Sequence, residues 1–311
     1  MKPVSQEANN PLGYRKVSKL LTGYAVPCII SMLVTALYNI VDQIFIGQGV
    51  GVLGNAATNI AFPLSTTCTA IALLLGIGGA SNFSLELGAG REDHAAKSAG
   101  NAITMMAVSG IALFLIVTIF LTPMLKFFGA TDDVLPYAQT YTRITSIGFP
   151  FLIINTAISK LILADGSPKY SMTSMLVGAV INTILDPIFI FVFDMGMAGA
   201  ALATIIGQIV SFCISVKYAF HFRHIKLTRK CFQLKFKFCK NIFALGASAC
   251  FNQIAMTVTQ IVMNNVLSYY GARSVYGSEI PLACAGIIIK VNMIFMALVI
   301  GISQGTQPIV G

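Results

Sequence analysis

The chain has 311 residues, of which 56% are hydrophobic and only 10% are charged, with a formal net charge of +9. This composition, with a mean hydropathy of +0.80, leaves too little charge to cover the surface of a water-soluble domain and excludes that class. Because backbone polar groups inside a bilayer must be paired within the protein, the chain must cross the membrane as helices or as a closed barrel. Its apolar runs of about 20 to 27 residues, without strict alternation, predict an all-α polytopic membrane protein.

Eight membrane spans are predicted in chain order. The first is too long for the apolar region of a signal peptide, so we expect it to remain in the protein. The spans cover residues 20–46, 57–83, 98–122, 137–164, 170–193, 198–220, 242–268 and 282–304.

The distribution of positive charge predicts the orientation of these spans. Of the 20 Lys and Arg residues, four lie in the N-terminal 19 residues, two follow span 2, one follows span 4 and eight accompany the connection after span 6, all on one side of the membrane. Only Lys126 and Arg273 lie in connections on the other side. Because positively charged loops stay in the cytoplasm, we predict a multi-pass protein of the cell (inner or plasma) membrane with both termini cytoplasmic.

The basic loop at 221–241 divides the predicted spans into two blocks. It follows six spans at 20–220, themselves preceded by a cytoplasmic N-terminus at 1–19, and it precedes two spans at 242–311. Cytoplasmic topology accounts for its charge, so we predict no nucleic-acid partner. Its apolar residues stand between lysines and favour a segment lying on anionic lipid headgroups; they are Phe232, Leu234, Phe236 and Phe238.

A faint internal repeat accompanies this division. Span 2 ends in GIGGAS at residues 76–81, and span 8 ends in GISQGT at residues 301–306. Small residues recur in membrane helices for close packing, so the signal is weak by itself. A true repeat would imply two parallel units related by an axis along the membrane normal, because each block begins on the cytoplasmic side.

Two acidic residues, Asp42 and Asp186, lie inside predicted spans, where an ionised carboxylate is costly and therefore indicates function. Counting along spans 1 and 5 at about 1.5 Å per residue places both in the outer half of the membrane. Thr204 of span 6 lies at a similar depth, and Asn182 lies one turn before Asp186 on the same helix face. Such a cluster is typical of a proton or cation site, since one of two neighbouring buried carboxyl groups readily holds a proton. The alternative is that each aspartate only caps or pairs locally.

Other polar and flexible residues extend this hypothesis. Tyr38 and Asn39 lie one turn before Asp42. Pro27 removes a hydrogen bond from span 1 and predicts a bend, either static or changing between states. Lys290 lies in the middle of span 8 without an acidic neighbour in its own helix, which favours either a position facing an aqueous cavity or a pairing with an acid elsewhere. The residues predicted to line such a cavity are Asn39, Lys290, Met256 and Gln260, although plain packing is the more usual role of methionine.

Three segments resemble the multidrug and toxic compound extrusion (MATE) transporters, and most closely their DinF-like branch. Residues 38–47, YNIVDQIFIG, are similar to the signature of the family's first helix, and residues 182–187, NTILDP, to that of its fifth. Residues 305–311, GTQPIVG, resemble the segment that closes helix 8. The similarity runs through essentially the whole chain, and the first two motifs together are specific.

The resemblance implies a fold of twelve helices in two six-helix lobes, which alternates between outward-open and inward-open states. It implies export of cationic or amphipathic small molecules, as in multidrug efflux, by antiport with H⁺ or Na⁺. No cofactor is expected besides this coupling ion, and no metal centre unless Na⁺ binds at Asp42 and Asp186. The resemblance places the cation site on Asp42, Asn182, Asp186 and Thr204, with Tyr38 nearby and Pro27 as the bend of helix 1.

Two departures from the family pattern matter. Residues 249–253, ACFNQ, carry no glutamate where another branch of the family has one, so coupling is expected to depend on the N-terminal lobe. The chain also ends where the family continues for about four helices, which predicts a six-helix lobe followed by two helices of an incomplete second lobe. We therefore expect small-molecule substrates, membrane lipids and a separate chain supplying helices 9–12 as partners.

Three other functions compete with export. A lipid-linked oligosaccharide flippase of the same superfamily needs a basic cavity, for which only Lys290 and Arg143 qualify. A membrane enzyme needs a catalytic motif such as HExxH, which the sequence lacks, or GxSxG, whose one match is GISQG at residues 301–305. That match lies at the end of a predicted membrane span and not at the strand-to-helix turn that the motif requires, so we predict no enzymatic activity. A non-transporting fragment or accessory subunit is the third alternative.

Overall fold

The computed structural model describes residues 17–128, 130, 132–271, 273–275, 288, 292 and 294–306. The helices of this part, in chain order, are α1 (Val17–Gly49), α2 (Val52–Gly88), α3 (Glu92–Phe127), α4 (Leu135–Ala164), α5 (Pro168–Pro187), a π-helix (Ile188–Val192), α6 (Gly196–Ala219), a 3₁₀ helix (Arg229–Phe232), α7 (Phe236–Gly271) and α8 (Ile294–Thr306).

Seven of the described helices, α1 to α7, are long and apolar enough to cross a membrane. They coincide with the first seven predicted spans, and most extend several residues beyond them. The reason is that hydropathy marks only the apolar centre of a span, whereas the helix continues into the headgroup zone with polar residues. Of the eighth predicted span, 282–304, residues 282–287, 289–291 and 293 lie outside the described residues, and α8 covers its C-terminal part.

Proline residues shape several of these helices. Pro168 opens α5, where its missing N–H costs nothing because the first turn has no intrahelical acceptor. In α3, Pro123 follows a break at Phe120, whose φ of −104° and ψ of 21° leave the helical region. Pro27 lies inside α1, which continues through it as one helix, and the Ser31 hydroxyl donates to the Pro27 carbonyl at 2.9 Å. The bend predicted at Pro27 stays a prediction.

Close glycine contacts connect the helices before and after the basic loop. Helix α2 packs against α3, α4 and α7, and Gly246 of α7 lies so near the Leu74 carbonyl that a side chain there would clash. Gly301 of α8 approaches the backbone of Ile29 in α1 in the same way. In two parallel repeats α7 would correspond to α1, and α8 would correspond to α2. The contact of α2 with α7 would then be equivalent to the contact of α8 with α1. The contacts therefore have the pattern that a repeat requires, while the division into lobes stays a prediction.

The basic loop is tied to helix α3 through one buried asparagine. The Asn101 side chain is fully buried; its Nδ2 donates to the Cys231 carbonyl at 3.2 Å, and its Oδ1 accepts from the Lys235 N–H at 2.7 Å. The Thr104 hydroxyl donates to the Phe232 carbonyl at 3.0 Å. The loop is thus a docked segment of the protein rather than a free connection.

The prediction that four apolar loop residues face headgroups is wrong for one of them. Phe238 is buried, and its ring contacts His94 edge-on at a centroid separation of 5.8 Å. Phe238 lies in the first turn of α7, which turns it toward α3 instead of outward. Phe232, Leu234 and Phe236 are exposed.

A second buried polar group joins the end of α4 to the segment after α6. Asp165 is completely buried and accepts hydrogen bonds from the Tyr218 hydroxyl at 2.7 Å and from the Arg223 N–H at 2.8 Å. It also accepts from His224, from Nδ1 at 2.8 Å and from the backbone N–H at 3.3 Å. The hydrogen bond from the imidazole to this carboxylate raises the pKa of His224 above its ordinary value. Sequence reasoning placed Asp165 among ordinary loop acids and missed its role.

Replacing Asn101 with Leu should detach the loop. The change leaves the Cys231 carbonyl and the Lys235 N–H without their partner, which costs about 1–3 kcal/mol of stability. We expect a lower thermal unfolding midpoint and faster tryptic cleavage in the loop at 221–235. The control is Asn252→Leu, at an exposed site on α7. Unchanged cleavage in Asn101→Leu would show that the loop is held by other contacts.

The contact between His224 and Asp165 should make stability depend on pH. Because the folded pKa of His224 is raised, its contribution is fully present below the unfolded pKa of about 6.5 and is lost as pH rises through the folded value. The ring is half exposed, so the contribution is at most about 1 kcal/mol. His224→Gln should abolish this part of the pH dependence of the unfolding midpoint, whereas His221→Gln, an exposed site nearby, should keep it. Equal behaviour of the two variants would contradict the assignment.

Candidate cation site

Two carboxyl groups meet where helices α1 and α5 pack together. Asp42 of α1 is half-buried and Asp186 of α5 is completely buried. The two carboxyl groups lie close enough to interact electrostatically. A hydrogen bond between them would require a proton on one, because an ionised carboxylate only accepts.

An amide and a hydroxyl complete one side of this pair. The Asn182 side chain, 3% exposed, donates from Nδ2 to Asp186 Oδ1 at 3.3 Å, as their spacing of one helical turn predicts. The same Nδ2 lies 3.5 Å from the Thr204 hydroxyl oxygen of α6. Thr204 itself donates to the Ala200 carbonyl at 3.0 Å, so its oxygen lone pairs remain directed toward the cluster. Helices α1, α5 and α6 thus each contribute a polar side chain.

Two tyrosines lie beside the carboxyl groups. Tyr38, one turn before Asp42 on α1, interacts electrostatically with both Asp42 and Asp186. Tyr141 of α4 interacts with the same two groups. The sequence analysis predicted Tyr38 and missed Tyr141. A single tyrosine in an apolar span is more often a packing residue, and no motif around residue 141 distinguishes it.

Several oxygens of the cluster are buried without a hydrogen-bond donor. Within the part of the chain that the structure describes, they are Asp42 Oδ1, Asn182 Oδ1 and Asp186 Oδ2. A buried acceptor without a donor costs about 1–3 kcal/mol, and two ionised carboxylates in contact also repel each other. Both costs vanish when a proton or a small cation occupies the cluster. Oxygen ligands of this kind suit a hard cation such as Na⁺ as well as a proton.

The backbone after Asp186 departs from an α-helix. Pro187 has no N–H, and the chain continues as the π-helix, in which the Phe193 N–H bonds to the Ile188 carbonyl five residues earlier at 3.0 Å. Buried Ile190 of this turn lies against the end of α1 at Gly49, where no side chain would fit. Such π turns often lie at functional sites. This one fixes the end of α1 against α5 close to the carboxyl pair.

The predicted cavity-lining residues are placed differently from one another. Asn39 is exposed and its Nδ2 donates to the Thr35 carbonyl at 2.7 Å, one turn back in α1, while its side chain also interacts with Tyr38 at the edge of the cluster. Met256 of α7 is 57% exposed. Gln260 lies in α7 with a side chain outside the described part, and Lys290 is outside the described residues. The structure therefore brings together all five predicted coupling residues, with Asn39 beside Tyr38.

Comparison with known proteins identifies the family. The profile of the MatE family matches residues 27–188, just over half of the chain, and the match includes both Asp42 and Asp186. The multidrug export protein MepA of Staphylococcus haemolyticus (strain JCSC1435) is 26% identical over 302 residues. MepA of Staphylococcus saprophyticus (strain ATCC 15305) is 28% identical over 302 residues. In both cases the match covers 94% of this chain and 64% of the relative.

Solved structures agree with this identification. The MATE multidrug transporter DinF-BH is 33% identical, with a TM-score of 0.86 over 96% of this chain and 66% of that one. A MATE protein in complex with MaD3S has a TM-score of 0.87 at 22% identity, which shows the fold alone. The chain spans about 64% of the length of the curated relatives. The predicted MATE fold and DinF-like resemblance are thus confirmed, and the chain belongs to the MatE family of multi-pass membrane transporters.

Proposed function

We propose that this protein works in multidrug efflux as a cation-coupled antiporter, exporting cationic or amphipathic small molecules by alternating access. The observation that carries the proposal is the contact between Asp42 and Asp186, whose buried oxygens lack donors among the described residues. The similarity to multidrug export proteins supports the substrate class. It is a transporter rather than an enzyme, and its only cofactor is the coupling ion, H⁺ or Na⁺.

The carboxyl pair accounts for the coupling step. An ion that enters from outside binds between α1 and α5 and removes the repulsion between Asp42 and Asp186. The relative position of the two helices then differs between the ion-bound and ion-free forms, because the empty pair is pushed apart and the occupied pair is drawn together. Pro27, which weakens the hydrogen bonding of α1 between the carboxyl pair and the cytoplasmic end, is where we expect α1 to bend in response.

The proposal includes a topology. The bias of positive charge supports cytoplasmic termini and a carboxyl pair near the outer face. A cavity between two lobes requires helices 9–12 in addition to the spans of this sequence, so transport is measured on a protein in which those helices are present.

The transport proposal predicts that either aspartate is indispensable for coupling. The test uses proteoliposomes in which helices 9–12 are also present, with the cationic dye ethidium as the probe. Asp42→Asn and Asp186→Asn should each reduce at least about tenfold the efflux driven by a gradient of one pH unit, which supplies about 1.4 kcal/mol per proton. Asp194→Asn is the matched control, because Asp194 is exposed just after the π-helix and its positive φ of 51° suits Asn. Coupled efflux at the wild-type rate in both Asn variants would refute the site.

Ion binding to the purified chain separates H⁺ from Na⁺ without transport. A ligand of the folded state raises its stability by RT ln(1 + [L]/Kd). We expect Na⁺ at fixed pH, or acid at fixed Na⁺, to raise the thermal unfolding midpoint of the wild type and of Asp194→Asn. The same addition should raise the midpoint of Asp186→Asn by less, because this variant no longer presents two carboxylates and keeps only the acid response of His224. Equal responses from all three proteins to both ions would contradict ion binding at this pair.

A further inference from the structure

A second polar cavity lies far from the carboxyl pair, between helices α1, α4, α5 and α8. It has a volume of about 20 Å³, and its lining includes Cys28 and Ser31 of α1, Lys160 of α4 and Gln304 of α8. Such a volume holds one water molecule or a small ion, but no organic ligand. The cavity borders Ser171 of α5, fifteen residues or about 22 Å along the helix from Asp186.

Lys160 is the only charged group in the lining of this cavity. Its side chain is 8% exposed and forms no ion pair or hydrogen bond with any residue that the structure describes. Among these residues, the thiol of Cys28 is the one acidic group that interacts with it electrostatically. A buried ammonium group without a counter-charge costs several kcal/mol, so buried lysines are normally paired.

The other unsatisfied groups around the cavity are also hydrogen-bond donors. The Ser159 hydroxyl is buried without a partner among the described residues, and the Gln304 amide makes no hydrogen bond to them. The Ser31 hydroxyl cannot donate into the cavity, because it donates to the Pro27 carbonyl. Among the residues that the structure describes, the lining thus presents an ammonium, a hydroxyl and an amide N–H₂, and it contains no carboxylate. A positive charge and hydrogen-bond donors are the groups that bind a small anion.

We propose that this cavity binds a small monovalent inorganic anion, with chloride as the occupant, held by Lys160, Ser159 and Gln304. The charge of the ammonium group selects an anion, and the volume excludes phosphate, sulfate and organic acids. Because Gln304 belongs to α8 while the other two ligands belong to α4, the anion connects α8 to α4. The proposal does not depend on the proposed transport function.

Chloride titration of the purified chain tests the proposal. The protein is first placed in sodium gluconate, and chloride then replaces gluconate at constant ionic strength. At each step the thermal unfolding midpoint and the linewidth of the ³⁵Cl NMR signal are measured. The wild type should gain stability with chloride and broaden the signal, and sulfate should do neither. Lys160→Met should lower chloride affinity at least about tenfold, whereas Lys169→Met, an exposed lysine at the start of α5, should leave it unchanged.

Several outcomes would overturn the proposal. One is that the wild type does not respond to chloride, and another is that it responds equally to sulfate. The third is that Lys160→Met responds to chloride as the wild type does. If Lys160→Met does not fold, Ser159→Ala replaces it, since loss of one neutral donor should weaken chloride binding several-fold and leave the helices intact. Unchanged affinity in Ser159→Ala would remove the hydroxyl from the site and refute the assigned ligand set.

Discussion

Hydrocarbon offers no partner to a polar group, and the rest of this structure depends on that constraint. Serine and threonine side chains inside the helices mostly bond back to a carbonyl one turn earlier, as Thr35 does to Ser31 and Thr183 to Ala179. These bonds satisfy the hydroxyl locally and require no second helix. Polar groups that cannot be satisfied in this way must be paired between helices, and they determine which helices lie together.

The contact between α5 and α6 shows how such pairing positions the candidate cation site. The Ser174 hydroxyl donates to the Ser211 carbonyl and the Ser211 hydroxyl to the Ser174 carbonyl, both at 2.9 Å. One turn further along α5, Gly178 allows the backbones to approach so closely that a side chain would clash with Ser211. This register brings Asn182 opposite Thr204. Small residues and reciprocal hydrogen bonds in the middle of the helix pair therefore position the functional groups at its end.

Much of the fold and the centre of the site could be predicted from the sequence. Apolar runs located seven helices, and the cost of a buried carboxylate identified Asp42 and Asp186. Helical periodicity then added Asn182 and Tyr38, because they lie one turn away on the same helices. Residues on helices that are distant in sequence were harder to find. Tyr141 and Asp165 act through contacts made only after packing, and an ordinary tyrosine or loop aspartate gives no signal of them beforehand.

The burial of Lys160 was not predicted, for a related reason. A lysine four residues before the end of a span normally extends to the membrane surface, where its charge is hydrated. Here the side chain is only 8% exposed and lines a small cavity between α4 and the helices α1, α5 and α8. Only the packing of four helices, one of them from beyond the basic loop, distinguishes a buried lysine from a solvated one. Hydropathy and spacing contain no information on that packing.

The two unsatisfied sites have opposite character and lie at opposite ends of the same helix pair. Among the residues that the structure describes, acceptors lack donors near the C-terminal ends of α1 and α5, and donors lack acceptors near the N-terminal ends of these helices. Two unit charges about 22 Å apart interact by less than about 1 kcal/mol at an effective dielectric constant near 20. Direct attraction between a cation at one end and an anion at the other is therefore weak. Any coupling between them must run through movement of α1, which packs against α5 and, in its N-terminal half, against α8.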